Sequence, residues 1–193
     1  MKKINYIRLT LILVFFISLI YTKKSQAQIE SMAGPRIGVT LLGAGETADW
    51  LTDQDGAPSS IMTQYGWQWE SRFADGGGEI VGIVEWIVLV AGMEQGKFLP
   101  SATSVIGART AKGLEFGVGP NLSLSGIGMV FGVGYNFKSG SLNLPVNLVF
   151  MPGRNLSGNI NTYNEDTGVE YNEDYDYNSG ARISLMIGFN MSK

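Results

Sequence analysis

The chemistry open to this chain is limited first by two residue types that it lacks. Neither histidine nor cysteine occurs among its 193 residues. Nucleophilic catalysis of the Ser-His-Asp or Cys-His kind is therefore excluded, and the usual zinc sites lose their ligands. Catalysis by carboxylates alone remains open, so enzymes are disfavoured. We expect no catalytic residues and no cofactor site.

Carboxylates are the reactive groups that the chain concentrates most strongly. Six of them lie near the C-terminus among tyrosines and asparagines: Glu165, Asp166, Glu170, Glu173, Asp174 and Asp176. Calcium takes several oxygen ligands, so divalent cations are candidate partners of this segment. The spacing differs from that of an EF-hand loop, and a solvated acidic loop without a metal site is the favoured interpretation.

A second set of charged residues falls within segments that are otherwise apolar or rich in glycine. These residues are Arg36, Glu70, Glu85, Glu115 and Arg182. Alternation places four of them on the face opposite large apolar side chains, and Glu85 joins them if its strand has the corresponding orientation. If that face lines a closed barrel, the charges must pair, because an unpaired buried charge is very costly. We predict an ion-pair network that fills the lumen and leaves no open pore. The alternative is that some of these groups lie near the water-filled ends.

Alternation with period two dominates the chain after its N-terminal segment and predicts β-strands. Four strands are clear, at 115–122, 126–137, 142–151 and 182–191, and four are less regular, at 35–41, 61–73, 80–91 and 99–109. Segment 80–91 is apolar on both faces apart from Glu85, so its orientation stays open. A sustained apolar stripe of helical period is missing from this part of the chain.

The connections between these strands differ in length in a regular way. Tight turns at 74–79, 110–113 and 138–141 contain glycine-rich sequences that tolerate positive φ. The loops 42–60 and 151–180 are long, and in a meander both leave from the same end. The sequence thus predicts an all-β fold with one domain over 28–193, an eight-stranded antiparallel up-and-down (meander) transmembrane β-barrel.

The membrane part of that prediction depends on the composition of the two faces. The face opposite the large apolar residues is mostly Gly, Ser and Asn, whereas a solvated outer wall normally carries many charges. Strands of about ten residues also suit a tilted membrane crossing. The predicted membrane-interface aromatics are Tyr65, Trp67, Trp69, Trp86, Tyr135, Phe137, Phe150 and Phe189. A soluble exported barrel of lipocalin type, binding an apolar ligand in its lumen, is the alternative.

The N-terminus has the layout of a secretory signal peptide over residues 1–27. Basic residues precede the apolar run 9–20, and Ser25-Gln26-Ala27 forms a small-x-small cleavage pattern. The run is shorter than the roughly 20 residues that a spanning helix needs, so we expect cleavage after Ala27 rather than an uncleaved anchor. Removing the five basic residues of this segment leaves 9 Lys/Arg against 17 Asp/Glu, a net charge of −8, which disfavours nucleic acid as a partner.

Together these features resemble the small outer-membrane β-barrel proteins of the OmpA/OmpX-like class. The resemblance rests on the signal segment, the alternating strands, the final strand 182–191 (RISLMIGFNM), and the runs 113–121 (GLEFGVGPN) and 142–147 (LNLPVN). It implies a non-enzymatic protein of the outer membrane, in contact with lipid, with a structural or loop-displaying role. The chain departs from the class pattern where Phe189 is followed by four residues instead of ending the chain. The oligomeric state is left open.

Overall fold

The computed structural model describes residues 31–53, 60–75, 79–164 and 168–192. Its strands are β1 (Ser31–Leu42), β2 (Ile61–Asp75), β3 (Ile80–Ala91), β4 (Leu99–Thr110), β5 (Leu114–Ser123), β6 (Gly126–Ser139), β7 (Leu142–Met151), β8 (Asn155–Asn164), β9 (Val169–Asn178), β10 (Arg182–Gly188) and β11 (Asn190–Ser192). A helix, α1 (Glu46–Asp53), follows β1, and a 3-10 turn (Met93–Gln95) follows β3. The predicted signal segment 1–27 lies outside the described residues.

The sheet closes into a barrel because β1 is paired along both of its edges. On one side Ile37 lies opposite Tyr65 of β2, and on the other it lies opposite Ile187 of β10. The remaining barrel strands pair with their neighbours in chain order, and β10 and β11 together form the eighth strand, interrupted at Phe189. Every pairing is antiparallel, so the predicted eight-stranded meander barrel is confirmed.

The outward face of the barrel is apolar on all eight strands. Each strand has an outward apolar side chain that is between 41 and 61% exposed, in strand order Ile37, Trp67, Trp86, Ile106, Val118, Phe131, Leu148 and Leu185. The inward face is largely glycine and polar residues, and Arg36, Gln68 and Glu70 on it are almost fully buried. A soluble barrel has the opposite arrangement, with apolar groups inside and polar groups in water.

Strand β3 takes the orientation that its sequence left open. Glu85 points into the lumen at 7% exposure, whereas its neighbour Trp86 points outward at 58%. Ile83 and Leu89 are buried on the same side as Glu85. The strand is apolar on both faces because its inner residues Ile83, Ile87 and Leu89 line a cavity in the lumen, so alternation of polarity could not orient it.

The connections leave from two ends of the barrel. We call the end reached after β1, β3, β5 and β7 the loop end, and the other the turn end. Both long connections are at the loop end, where the hydroxyl groups of Thr47 and Tyr177 lie 3.1 Å apart. The region 151–180, predicted as a loop, contains a separate two-stranded sheet of β8 and β9. The residues of β9 alternate between tyrosines (Tyr171, Tyr175 and Tyr177) and polar groups, but the many carboxylates of this segment favoured its interpretation as a solvated loop.

Helix α1 covers part of the loop end and creates the apolar core there. Its residues Ala48 and Leu51 pack with Leu42, Met62 and Ala91 of the first three strands. With eight residues and few apolar positions, α1 is too short to show a helical stripe in the sequence. Among the described residues, no helix is long and apolar enough to cross a membrane.

Candidate functional site

The centre of the lumen is built around the guanidinium group of Arg109 on β4. Its Nη1 and Nη2 donate to Oε1 and Oε2 of Glu70 at 2.7 and 2.6 Å, and its Nε donates to Oε1 of Glu115 at 2.5 Å. A forked pairing of this kind is among the strongest charge-assisted hydrogen bonds. Because Glu70 lies on β2 and Glu115 on β5, Arg109 ties strands that are not neighbours across the barrel interior.

Arg36 extends the same network from β1. Its Nη1 donates to Oδ1 of Asn147 at 2.5 Å, and Nδ2 of Asn147 donates to Oε2 of Glu115 at 2.9 Å. Nη2 of Arg36 lies 3.9 Å from Oε1 of Glu85, which also accepts a hydrogen bond from Gln68 at 2.5 Å. We call these seven residues the lumen plug: Arg36, Gln68, Glu70, Glu85, Arg109, Glu115 and Asn147.

Charge is not evenly matched within the lumen plug. It contains two arginines and three glutamates, which leaves one carboxylate in excess if all are ionised. Glu70 and Glu115 each contact Arg109 at 2.7 Å or less, whereas the ion pair of Glu85 is the longest, at 3.9 Å. Glu85 is therefore the least tightly paired carboxylate of the plug.

The structure brings together four of the five predicted lumen residues and leaves out Arg182. Strands β1 and β10 are neighbours, but Arg36 lies opposite Gly188 whereas Arg182 lies opposite Leu42. The two arginines are thus six positions apart along β1, about 20 Å at the usual rise of a strand. Alternation shows which face a side chain occupies but not its height along the barrel axis.

Sequence reasoning missed Arg109, Gln68 and Asn147. Arg109 ends the segment 99–109, whose alternation is the weakest of the eight. The signal that would have found it is the tight turn at Gly113, whose φ is +98°. That turn fixes the hairpin register and places Arg109 directly opposite Glu115.

Arg182 lies instead in a pocket at the loop end, which we call the mouth pocket. The pocket has a volume of about 390 Å³, and its walls include Trp50 of α1, Leu99 of β4 and Tyr177 of β9. Nη2 of Arg182 donates to Oγ of Ser125 at 2.8 Å and to Oγ1 of Thr47 at 3.4 Å. The sides of the pocket are mainly apolar, and its polar groups are concentrated around Arg182.

A smaller cavity, of about 110 Å³, lies in the lumen between the mouth pocket and the plug. It shares Gln64, Ser101 and Arg182 with the mouth pocket and is lined at its other side by Arg36, Glu85 and Glu115. Towards the turn end, Met32 and Asn190 are almost completely buried. The interior therefore has the shape of a blind pocket that opens at the loop end.

All eight predicted interface aromatics lie on the outward face. Their exposed fractions range from 42 to 58%: Tyr65, Trp67, Trp69, Trp86, Tyr135, Phe137, Phe150 and Phe189. Tyr135, Phe137 and Phe189 lie near the turn end, where the exposed Phe73 and Phe116 join them. Aromatic residues are thus denser at the turn end than at the loop end.

The acidic segment does not form a metal site in the part of the chain that the structure describes. Glu165, Asp166 and the side chain of Glu173 lie outside the described residues. Glu170, Asp174 and Asp176 follow one exposed face of β9, and Asp174 accepts a hydrogen bond from Asn159 at 2.7 Å. Since same-face residues of a strand are about 6.6 Å apart, these carboxylates do not converge. No group of three or more Asp or Glu side chains in the described ranges is arranged to hold a metal ion.

One carboxylate at the loop end is held by specific hydrogen bonds. The two oxygens of Glu94, in the 3-10 turn, accept from the backbone nitrogen and the hydroxyl of Thr63 on β2, both at 2.5 Å. Partial desolvation raises the pKa of Glu94, but these hydrogen bonds outweigh it, so the net pKa lies below the ordinary value. This contact ties the connection between β3 and β4 to the neighbouring strand.

Fold and site together define a closed eight-stranded antiparallel barrel with an apolar outer wall and a buried charge network. Comparison with models of protein families, with curated proteins and with solved structures finds no match. The function proposed below accordingly rests on the geometry of the barrel.

Proposed function

We propose that this protein is a non-enzymatic outer-membrane β-barrel of the OmpA/OmpX-like kind. In this proposal its outer wall contacts lipid, its lumen is filled, and its loop-end elements are displayed at the cell surface. The observation that carries the proposal is the inverted polarity of the barrel. Apolar side chains cover the outside on all eight strands, and the buried charges lie inside.

The extent of the apolar wall is what favours lipid as its environment. Soluble monomers rarely expose a contiguous apolar patch larger than a few hundred Å². Here exposed apolar side chains surround the barrel and run from Ile61 and Leu122 near the loop end to Phe73 and Leu114 near the turn end. Such a wall loses about 25 cal/mol for each Å² left in water, whereas a bilayer removes that cost. Closure of the sheet also suits a bilayer, since it pairs the backbone groups of every strand.

The lumen plug supports a structural or displaying role over a conducting one. Its residues meet across the barrel at 2.5 to 3.9 Å, and Glu70 and Glu115 are 1 and 3% exposed. We expect purified protein in planar bilayers to show no large, stable single-channel conductance. A steady conductance of porin size would contradict the filled lumen while leaving the membrane location untouched.

The β8–β9 hairpin is the element best suited to display. It forms its own sheet rather than joining the barrel, and Ile160, Tyr163 and Tyr175 on it are between 42 and 58% exposed. Exposed aromatic and aliphatic groups on a separate hairpin are available for contact with another molecule.

A soluble barrel of lipocalin type is the second candidate, favoured by one observation. The mouth pocket and the cavity beneath it offer an enclosed volume for a ligand, as lipocalin-like barrels do. The apolar outer wall disfavours this candidate, because the wall of a soluble barrel is solvated and polar.

Fractionation of the tagged full-length protein separates the two candidates. We expect it to sediment with the outer membrane, to need detergent for extraction, and to migrate faster on a gel when unheated than when boiled. Recovery of folded protein from the periplasmic fraction without detergent would overturn the membrane proposal. The control for leakage between fractions is a soluble protein without an apolar wall, fused to the same signal segment so that it is exported.

A further inference from the structure

We propose that the mouth pocket binds a single-chain amphiphile, with its anionic head group on Arg182 and its apolar chain along the pocket wall. This inference rests on the barrel fold and on the pocket. It holds whether the barrel lies in a membrane or in water, so it can fail independently of the proposed function.

Within the described part of the chain, the positive charge of Arg182 is not balanced by a nearby carboxylate. The other two buried arginines, Arg36 and Arg109, each lie within 4 Å of a glutamate. Arg182 is half-buried, and its hydrogen-bond partners among the described residues are the neutral hydroxyls of Thr47 and Ser125. Its Nε is buried and has no hydrogen-bond partner among the described residues. A desolvated cation without a counter-charge is costly, and an anion entering from solution would supply that charge.

A second arginine, Arg154, binds the same residue as Arg182, namely Ser125. Nη2 of Arg154 donates to the backbone oxygen of Ser125 at 2.7 Å, and Arg182 donates to the side chain of that residue. No carboxylate lies within ion-pair distance of Arg182 among the described residues. Two guanidinium groups that converge on one residue repel each other, and a bound carboxylate or phosphate would relieve that repulsion.

The side of the mouth pocket away from Arg182 is lined by apolar residues. Met62, Ala91, Leu99 and Leu124 line it together with the ring of Trp50. Nζ of Lys97 lies 4.6 Å from the centroid of that ring, which steadies the indole and adds positive charge at the rim. A volume of about 390 Å³ falls within the range of small-molecule pockets. An apolar wall with cations at one side matches a ligand that has a chain and a charged head.

One carboxylate, Glu46, also lines the described part of the pocket. It is exposed in the first turn of α1, so water screens its charge more strongly than that of the half-buried Arg182. If Glu46 rather than Arg182 determined selectivity, cationic amphiphiles would be preferred. The sign of the ligand charge is therefore the decisive variable in the test.

The test uses purified full-length protein held in a non-ionic amphipathic polymer, so that no charged or free detergent competes. Isothermal titration calorimetry compares decanoate, decanol and decyltrimethylammonium, which share a chain length and differ in head-group charge. We expect saturable binding of decanoate, weaker binding of decanol and the weakest binding of decyltrimethylammonium.

Two variants and a matched control connect that binding to the pocket. Arg182→Gln should weaken decanoate binding by roughly tenfold or more, since it removes a charge-assisted hydrogen bond, and Arg182→Lys should recover part of the loss. Lys112→Gln removes one positive charge from an exposed turn at the opposite end and should leave binding unchanged. Heat-modifiable gel migration verifies that each variant is folded.

Three results would overturn the inference. They are the absence of saturable decanoate binding, equal affinity of Arg182→Gln and Lys112→Gln proteins for decanoate, and binding of decyltrimethylammonium as tight as that of decanoate. If Arg182→Gln does not fold, Arg154→Gln takes its place, because Arg154 binds the backbone of Ser125, whose side chain Arg182 binds, and so adds positive charge beside Arg182. An Arg154→Gln protein with unchanged affinity would then count against the inference.

Discussion

At the scale of the residue, Arg109 is the group on which the lumen plug depends. It contacts two glutamates from two different strands, and both of them are almost fully buried. Neither glutamate has another arginine or lysine within ion-pair distance among the described residues. Removing the arginine would therefore leave two buried carboxylates with no direct counter-charge.

We predict that Arg109→Met strongly destabilises the folded barrel. Breaking a buried ion pair by removing one partner costs about 3–5 kcal/mol, and this substitution breaks two pairs at once. Unfolding in urea, followed by tryptophan fluorescence of the refolded protein, measures the change. Lys138→Met, at an exposed position of β6, is the control and should change the free energy of unfolding by about 0.5 kcal/mol or less. A similar effect of the two substitutions would show that Arg109 does not hold the plug together.

Substitution of Glu85 should affect stability less than substitution of Glu70 in the plug. It is the carboxylate in excess and has the longest ion pair, and a glutamine in its place still accepts the hydrogen bond from Gln68. We predict that Glu85→Gln changes the free energy of unfolding by less than about 1 kcal/mol, in either direction, whereas Glu70→Gln costs about 3 kcal/mol. The same urea titration compares the two proteins. Equal losses would show that the negative charge of Glu85 is needed in the plug.

At the scale of the element, the sequence predicts the strands, but it does not predict how far along the barrel axis their residues lie. Alternation between large apolar residues and glycine or polar residues identified all eight barrel strands, because an outer wall and a lumen impose opposite requirements on adjacent positions. The same alternation placed Arg36 and Arg182 on inward faces, whereas it left the orientation of Glu85 open. It left open that Arg182 is about 20 Å above Arg36, since the stagger between strands is a property of the closed barrel and of no single strand. Helix α1 and the β8–β9 hairpin were not predicted from the sequence, because neither has a long apolar face.

The 3-10 turn after β3 provides a pH-dependent contact at the loop end. The pKa of Glu94 is lowered in the folded protein by its hydrogen bonds to Thr63, despite the opposing effect of partial desolvation. The ionised form is thus favoured by folding. Its contribution to stability is fully present above the unfolded value of about 4.3 and is lost as the pH falls through the lower folded pKa.

We predict that this contribution disappears in Glu94→Gln. The wild-type protein should exceed the variant in urea midpoint by a constant amount at neutral pH, and the difference should shrink as the pH falls below about 4. Thr63→Val, which removes the hydroxyl donor and keeps the backbone donor, should lose part of the same pH-dependent difference. A gap between wild-type and Glu94→Gln that is unchanged down to about pH 3 would contradict the assignment.

At the scale of the whole molecule, the charge and polarity of the barrel are arranged along two directions. Across the wall, apolar groups are outside and charged groups are inside. Along the axis, the plug closes the lumen, whereas the loop end holds the mouth pocket, α1 and the hairpin. In the functions that we propose, one end of this barrel binds a ligand and its middle lies in an apolar environment. Both conditions are met together if the wall lies in lipid and the loop end faces water.

A charged residue in the middle of the outer wall therefore distinguishes lipid from water as the surroundings of the barrel. Phe131 lies near the middle of β6 at 48% exposure, whereas Leu124 lies in the β5–β6 turn at the loop end at 71% exposure. In a bilayer, Phe131→Arg should destabilise the folded barrel by about 2–4 kcal/mol and Leu124→Arg by about 0–1 kcal/mol, because the cost of a charge falls from the midplane to the interface. Urea titration of both variants in phospholipid vesicles measures this difference. A soluble barrel predicts no such difference, since an arginine on a water-exposed wall is tolerated at either position. Equal stability of the two variants in vesicles would therefore exclude the depth dependence that the membrane proposal requires.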